Sequence, residues 1–166
     1  RALHNNGYSY QDINNGNFFI NPENGDVLIC DNDNVSPFGT NLGIMGKQRW
    51  MAPEIVMGKN DPDKNIDRFS LAVVLFRLLF INHPLEGRYS TPPCMTKEAE
   101  QKYYGSSPIF VYDPSTSENR PIPGTDHNLK LFWNVYPDYV KEAFIRAFSH
   151  DVMMKQKPRI LEKEWL

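Results

Sequence analysis

The sequence predicts a mainly α domain carrying one small β-hairpin, and three observations lead there. Phe69 to Ile81 is an almost unbroken apolar run, interrupted by Ser70 and Arg77, with the length of a helix buried on most sides. Pro137 to Ser149 sets Val140, Ala143, Phe144, Ala147 and Phe148 at the spacing of an amphipathic helix. Two short apolar segments, Phe18-Phe19-Ile20 and Val27-Leu28-Ile29-Cys30, flank a polar turn whose Asn24-Gly25 pair is a strong hairpin signal.

Taken in order, the chain opens on residues that read as the end of a helix, with Gly7 as its left-handed cap. The hairpin follows. From Asp31 to Met51 there are glycines at 39, 43 and 46 and few periodic apolar positions, so a long functional loop is expected. Asp67 stands at a helix-start position before the buried run, giving a central helix over 67–81. Residues 82–130 are punctuated by Pro84, Pro92, Pro93, Pro108, Pro114, Pro121 and Pro123. They read as an irregular surface insertion with a strand at Ile109 to Tyr112. The last region, 137–166, is expected to hold the amphipathic helix and a short final one that docks Trp165.

Composition excludes several classes. A chain of 166 residues with 40% hydrophobic and 13% aromatic content can bury a core, which argues against general disorder. The formal charge of -2 gives no electrostatic basis for nucleic acid or an anionic membrane as partner. The longest apolar run falls short of the roughly 20 residues a bilayer needs. No signal peptide is visible in the Asn-rich start. Two cysteines, Cys30 and Cys94, suit neither a disulfide framework nor a zinc site, and Cys30 reads as a small buried hydrophobe. A reducing cytoplasm fits. The absence of an initiating Met suggests a truncated or excised chain.

One set of polar residues carries chemistry. Asp12 and Asn17 lie five positions apart before the hairpin, and Asp31 follows its second strand, so three oxygen-bearing side chains return to one end of it. Hard oxygen ligands of this kind suit a magnesium-bound phosphate beside a hydroxyl. The pattern is no calcium loop, because Val35 intrudes and the twelfth position lacks a Glu.

With these residues in hand, the chain resembles the C-terminal, large lobe of the protein kinase fold. Asp12 to Asn17 matches that family's catalytic loop, Asp31-Asn32-Asp33 its Asp-Phe-Gly, Met51-Ala52-Pro53-Glu54 its Ala-Pro-Glu, and Asp67 to Ala72 the start of its central helix. The resemblance implies boundaries of 1–35 for catalytic loop and hairpin and 31–54 for the activation segment. It implies ATP and Mg2+ as cofactors and Asp12 as catalytic base, with Asn17 and Asp31 binding the cofactor metal. Glu54 would pair with Lys157 or Arg159, and Asp67 would hold the catalytic-loop backbone. Gly46 to Trp50 would form a shelf for a protein substrate. The family's N-terminal lobe, with its Gly-rich loop and strand lysine, is missing from the sequence, so this fragment alone is expected to be inactive.

Departures from the pattern fall at the family's His and Arg, here Tyr10 and Gln11, and at Asn32 and Asp33. Without that Arg there is no cationic pocket for a phosphate on the loop, whose hydroxyls are Ser36 and Thr40. Asn14 stands where the family has a lysine and Lys47 where it has a threonine. Lys47 is either a solvated loop lysine or a catalytic residue that supplies the missing charge near Asp12. Three readings remain: a serine/threonine kinase, a pseudokinase that docks proteins, and a small-molecule phosphotransferase. The Ala-Pro-Glu triplet followed by the Asp67 helix resembles protein kinases rather than the last.

Overall fold

The computed structural model describes residues 1–40, 46–59 and 62–166. Residues 41–45, with Gly43 of the expected activation segment, lie outside them. The longest element is the helix α3, Lys64–Phe80, around which the rest packs. It begins three residues earlier than expected. Asp63 is the true cap, its Oδ1 accepting from the amides of Asn65 at 2.7 Å and Ile66 at 3.3 Å. The helix stops where Ile81 turns left-handed at φ 54.

Phe76 sits at its centre, fully buried. Its ring meets Phe110, Phe144 and Phe148 edge-on at centroid distances of 5.6, 5.2 and 6.0 Å, the geometry that opposes positive ring edges to negative faces. Phe144 and Phe148 come from α6, Asp138–Ala147, and the residue after it, so the predicted amphipathic helix presents its apolar face as its spacing requires. Trp165, in the short 3-10 turn Glu162–Trp165, packs on Phe144 at 5.1 Å. Helices α5, His127–Val135, and α7, His150–Met153, complete this side.

At the other end of the chain, α1, Ala2–Asn5, ends before Gly7, which takes the left-handed φ of 81 expected of it. Strand β1, Tyr8–Ser9, pairs antiparallel with β4, Ser36–Pro37. Strands β2, Phe18–Ile20, and β3, Val27–Ile29, form the predicted hairpin in the register Phe18 to Ile29. Its turn is closed by Gly25 at φ 76 and by the Asn21 amide bonding the Asp26 carbonyl at 2.8 Å. Phe19, Ile20, Val27, Leu28 and Ile29 are all exposed. Cys30 is only half-buried, not the interior hydrophobe expected, because the hairpin lies on the surface.

Residues 82–130 differ most from expectation. Ile109 to Tyr112 forms no strand, and the regular elements before His127 are α4, Lys97–Gln101, and a π-turn over Lys102–Ser106. The segment is not superficial either: Leu85, Tyr104, Phe110 and Val111 are buried in the main core. Asn119, itself buried, replaces a sheet ladder. Its Nδ2 donates to the carbonyls of Leu85 at 2.9 Å and Ile109 at 2.6 Å, while its Oδ1 accepts from the amides of Tyr89 and Ser90. Gly87 is obligatory beside it, since a Cβ there would lie 2.2 Å from the Asn119 carbonyl oxygen.

Candidate active site

Asp67 lies on the first turn of α3, four residues past the cap, with its carboxylate turned away from its own helix. Oδ2 accepts the Tyr10 amide at 2.7 Å and Oδ1 the Gln11 amide at 2.9 Å. Two backbone donors on one buried carboxylate fix the loop that follows β1, including the left-handed φ of 66 at Gln11.

The next residue is Asp12. Its Oδ1 accepts Asn14 Nδ2 and its Oδ2 accepts Asn17 Nδ2, each at 2.9 Å. The same two amides bond the Asp12 carbonyl at 3.1 and 2.9 Å, so the loop folds on its own acid. Asn14 Oδ1 receives the Gly16 amide at 2.9 Å and Lys47 Nζ at 3.4 Å. Lys47 is thus one amide removed from Asp12 rather than directed away. Gly46 lies against the carboxylate, where a Cβ would approach Asp12 Oδ1 to 3.3 Å.

The hairpin brings Asp31 to the same end. The Cys30 amide bonds the Asn17 carbonyl at 2.9 Å, and Tyr10 Oη donates to the carbonyls of Cys30 and, at 2.9 Å, Asp31. Burial raises the Tyr10 phenol above its ordinary pKa, and the negative charges of Asp12 and Asp31 add to the effect. Asp31 holds a left-handed φ of 58 and is exposed. No hydrogen bond from a described residue reaches its carboxylate, whose oxygens are hard donors, and its backbone adjoins that of Asn17 through Cys30. Among the described residues no cluster of three His, Cys, Asp or Glu side chains could hold a metal. Asn17, Asp31 and a bound phosphate offer an oxygen donor set of the type magnesium takes.

Gln11 carries no charge and spends its side chain on hydrogen bonds within the chain. Its Nε2 donates to Ser9 Oγ at 3.2 Å, to the Thr40 carbonyl at 3.2 Å and to Ser36 Oγ, stitching both sides of the β1–β4 pair. Ser36 is buried.

Glu54, on helix α2, Pro53–Val56, is buried against Arg159. Lys157 instead pairs with Asp151 at 2.7 Å. Lys155, which sequence reasoning missed, adds a contact to Glu54 Oε1 at 3.0 Å. The stretch Gln48–Trp50 is a 3-10 turn, anchored by Ser70 Oγ on the Trp50 carbonyl at 2.7 Å and by His83 Nε2 on the Arg49 carbonyl at 2.7 Å. His4 and His83 also went unread. No local signal marks them, since the partners of His4 are 63 and 158 positions away.

The model of the protein kinase domain matches residues 1–123, and the chain belongs to the protein kinase family. Mitogen-activated protein kinase kinase kinase 3 of Arabidopsis thaliana is 32% identical over 79 residues, covering 46% of this chain and 13% of that protein. Protein kinase C-like 1 of Candida albicans is 32% identical over 91 residues, 52% of this chain and 8% of its own length. Protein kinase gsk3 of Schizosaccharomyces pombe is 29% identical over 86 residues, 50% and 22% of the two lengths. The chain therefore spans under a quarter of each of these relatives. The structure of the Cydia pomonella granulovirus kinase PK-1 aligns with a TM-score of 0.47 and 18% identity, over 64% of this chain and 37% of that one.

Proposed function

We propose that the chain is the C-terminal lobe of a serine/threonine protein kinase, transferring the γ-phosphoryl group of ATP to a protein hydroxyl. The observation that carries this is the Asp12 carboxylate, aimed by Asn14 and Asn17 and set on backbone that Asp67 pins. Positioning and charge, rather than covalent chemistry, are what phosphoryl transfer asks of a protein. Asp12 orients the acceptor hydroxyl and takes its proton as the oxygen attacks phosphorus. Asn17 and Asp31 hold Mg2+, which when bound offsets the charge of the nucleotide phosphates. Lys47 adds positive charge beside the acid, reached through Asn14. Glu54, Asp67 and Arg159 are structural supports.

The exposed apolar hairpin face, Phe19, Ile20, Val27, Leu28 and Ile29, supports an N-terminal lobe as the partner that covers it and completes the nucleotide cleft. The turn Gln48–Trp50 serves as the shelf for a protein substrate. Two free cysteines suit a cytoplasmic setting, and among the described residues no helix is long and apolar enough to cross a membrane.

The test is phosphotransfer to a protein substrate by the chain joined to a kinase N-terminal lobe, with Asp12→Ala and Asp31→Ala as controls. Activity abolished in both variants is the expected result. Partner binding without phosphotransfer would replace this reading with that of a protein-docking pseudokinase, and transfer only to small alcohols with the small-molecule alternative.

A further inference from the structure

The ring of His4 lies between two acids. Its Nε2 is 2.8 Å from Asp67 Oδ2 and its Nδ1 2.6 Å from Glu162 Oε1, with 11% of the side chain exposed. A neutral imidazole has a single N–H and could serve one of these oxygens while turning a lone pair on the other. Both distances require two donors, which only the imidazolium provides. Hydrogen bonding to Asp67 above all raises the ring above its ordinary pKa of 6.5, against the effect of burial and with help from Glu162.

The groups around it come from every neighbouring element. Asp67 and Arg68 belong to α3, and Arg68 Nε donates to the same Glu162 oxygen at 2.9 Å. Glu162 belongs to the C-terminal 3-10 turn. Arg1 lines the adjoining cavity of about 210 Å³ with His4, Tyr10 and Asp67, and Phe38 stands 6.4 Å from the imidazole. If His4 loses its proton, its one remaining N–H can serve Asp67 or Glu162 but not both, so the link from the C-terminal turn to Asp67 is broken whichever acid keeps it.

We propose that His4 is a positioning residue: its imidazolium ties the C-terminal turn to Asp67, and through Asp67 sets the Tyr10–Gln11 backbone that presents Asp12. Loss of the proton slackens that backbone. The relevance to phosphoryl transfer rests on Asp12 being the base, while the tether itself does not.

The experiment is NMR on the 166-residue chain, following the His4 ring carbon with pH beside amide exchange at Tyr10 and Gln11. The ring is expected to titrate above 6.5, and the two amides to lose roughly tenfold in protection through the same midpoint, after correction for intrinsic exchange. Glu162→Gln, far from Asp12 in sequence, keeps an acceptor oxygen but removes one charge, so both midpoints move down together. His4→Gln removes the step. Protection that stays flat across the His4 titration, or a ring midpoint that moves in Glu162→Gln while the amides do not follow, overturns the proposal. In the lobe-completed protein the pH profile of kcat shares the midpoint. An inactive parent counts against the kinase reading alone, because the NMR outcome is decided without turnover.

Discussion

Arg159 grips both carboxylate oxygens of Glu54, Nη1 to Oε1 at 2.9 Å and Nη2 to Oε2 at 2.7 Å, across 105 positions of chain. Both side chains are nearly inaccessible, and the guanidinium also donates to the Asn65 carbonyl at 2.8 Å while stacking over Phe69 at 5.2 Å. The fork thus joins α2, the start of α3 and the C-terminal stretch at one point. Arg159→Met leaves Glu54 buried with Lys155 as its remaining cation, and should cost about 3–5 kcal/mol. The urea midpoint, at constant slope, measures it. Arg159→Lys keeps the charge without the fork and should fall between parent and Met.

His83 gives the pH dependence its acid limb. It is wholly buried, accepts the Leu85 amide on Nδ1 at 3.1 Å and donates Nε2–H to the Arg49 carbonyl, so the fold demands the neutral ring. Burial, above all, lowers its pKa from 6.5 to about 4. The folded chain therefore binds fewer protons than the unfolded one between those values, and stability declines as pH falls from 6.5 toward 4. The loss from this one group is on the order of 3 kcal/mol. Denaturation at pH 7 and pH 4.5 should diverge less in His83→Gln than in the parent. Equal divergence would mean that His83 is not the titrating group.

Phe76 tests the core. Truncation to Ala removes a ring that four aromatic neighbours enclose and that little backbone movement could replace. A loss of about 3–5 kcal/mol is expected, with Leu78→Ala, on the exposed side of the same helix, within about 0.5 kcal/mol of the parent. Thermal denaturation separates the two.

Legibility in the sequence tracked the range of the forces involved. The hairpin and α6 were readable because an Asn-Gly turn and a helical apolar spacing act over a few residues. The start of α3 was misjudged because two aspartates four apart both look like caps. Only tertiary structure shows that Asp63 bonds its own helix while Asp67 bonds the amides of Tyr10 and Gln11. Ile109 to Tyr112 had strand composition, yet its carbonyls go to Asn119 and Arg120 instead of a ladder. The order of Asp12, Asn17 and Asp31 was visible, but the hydrogen bonds that aim Asp12 depend on a fold no spacing encodes. His4 was invisible for the same reason.

Lys47 offers the sharpest test of the proposed chemistry. Its Nζ meets Asn14 Oδ1 at 3.4 Å, and Asn14 Nδ2 in turn meets Asp12 Oδ1 at 2.9 Å, so a positive charge lies one amide away from the acid, at the residue just before the Gln48–Trp50 turn. The side chain is exposed, which makes a folding defect in Lys47→Ala an inadequate explanation of lost activity. If the charge stabilises the phosphoryl group in transit, Lys47→Ala in the lobe-completed protein lowers kcat about 10- to 100-fold and changes KM for ATP little. Adding Asn14→Lys to that variant returns a cation to the same spot from the other side and should recover much of the rate. A lysine that only solvates the loop predicts unchanged kcat in the first variant, and in the second a loss from removing the amide that bridges to Asp12.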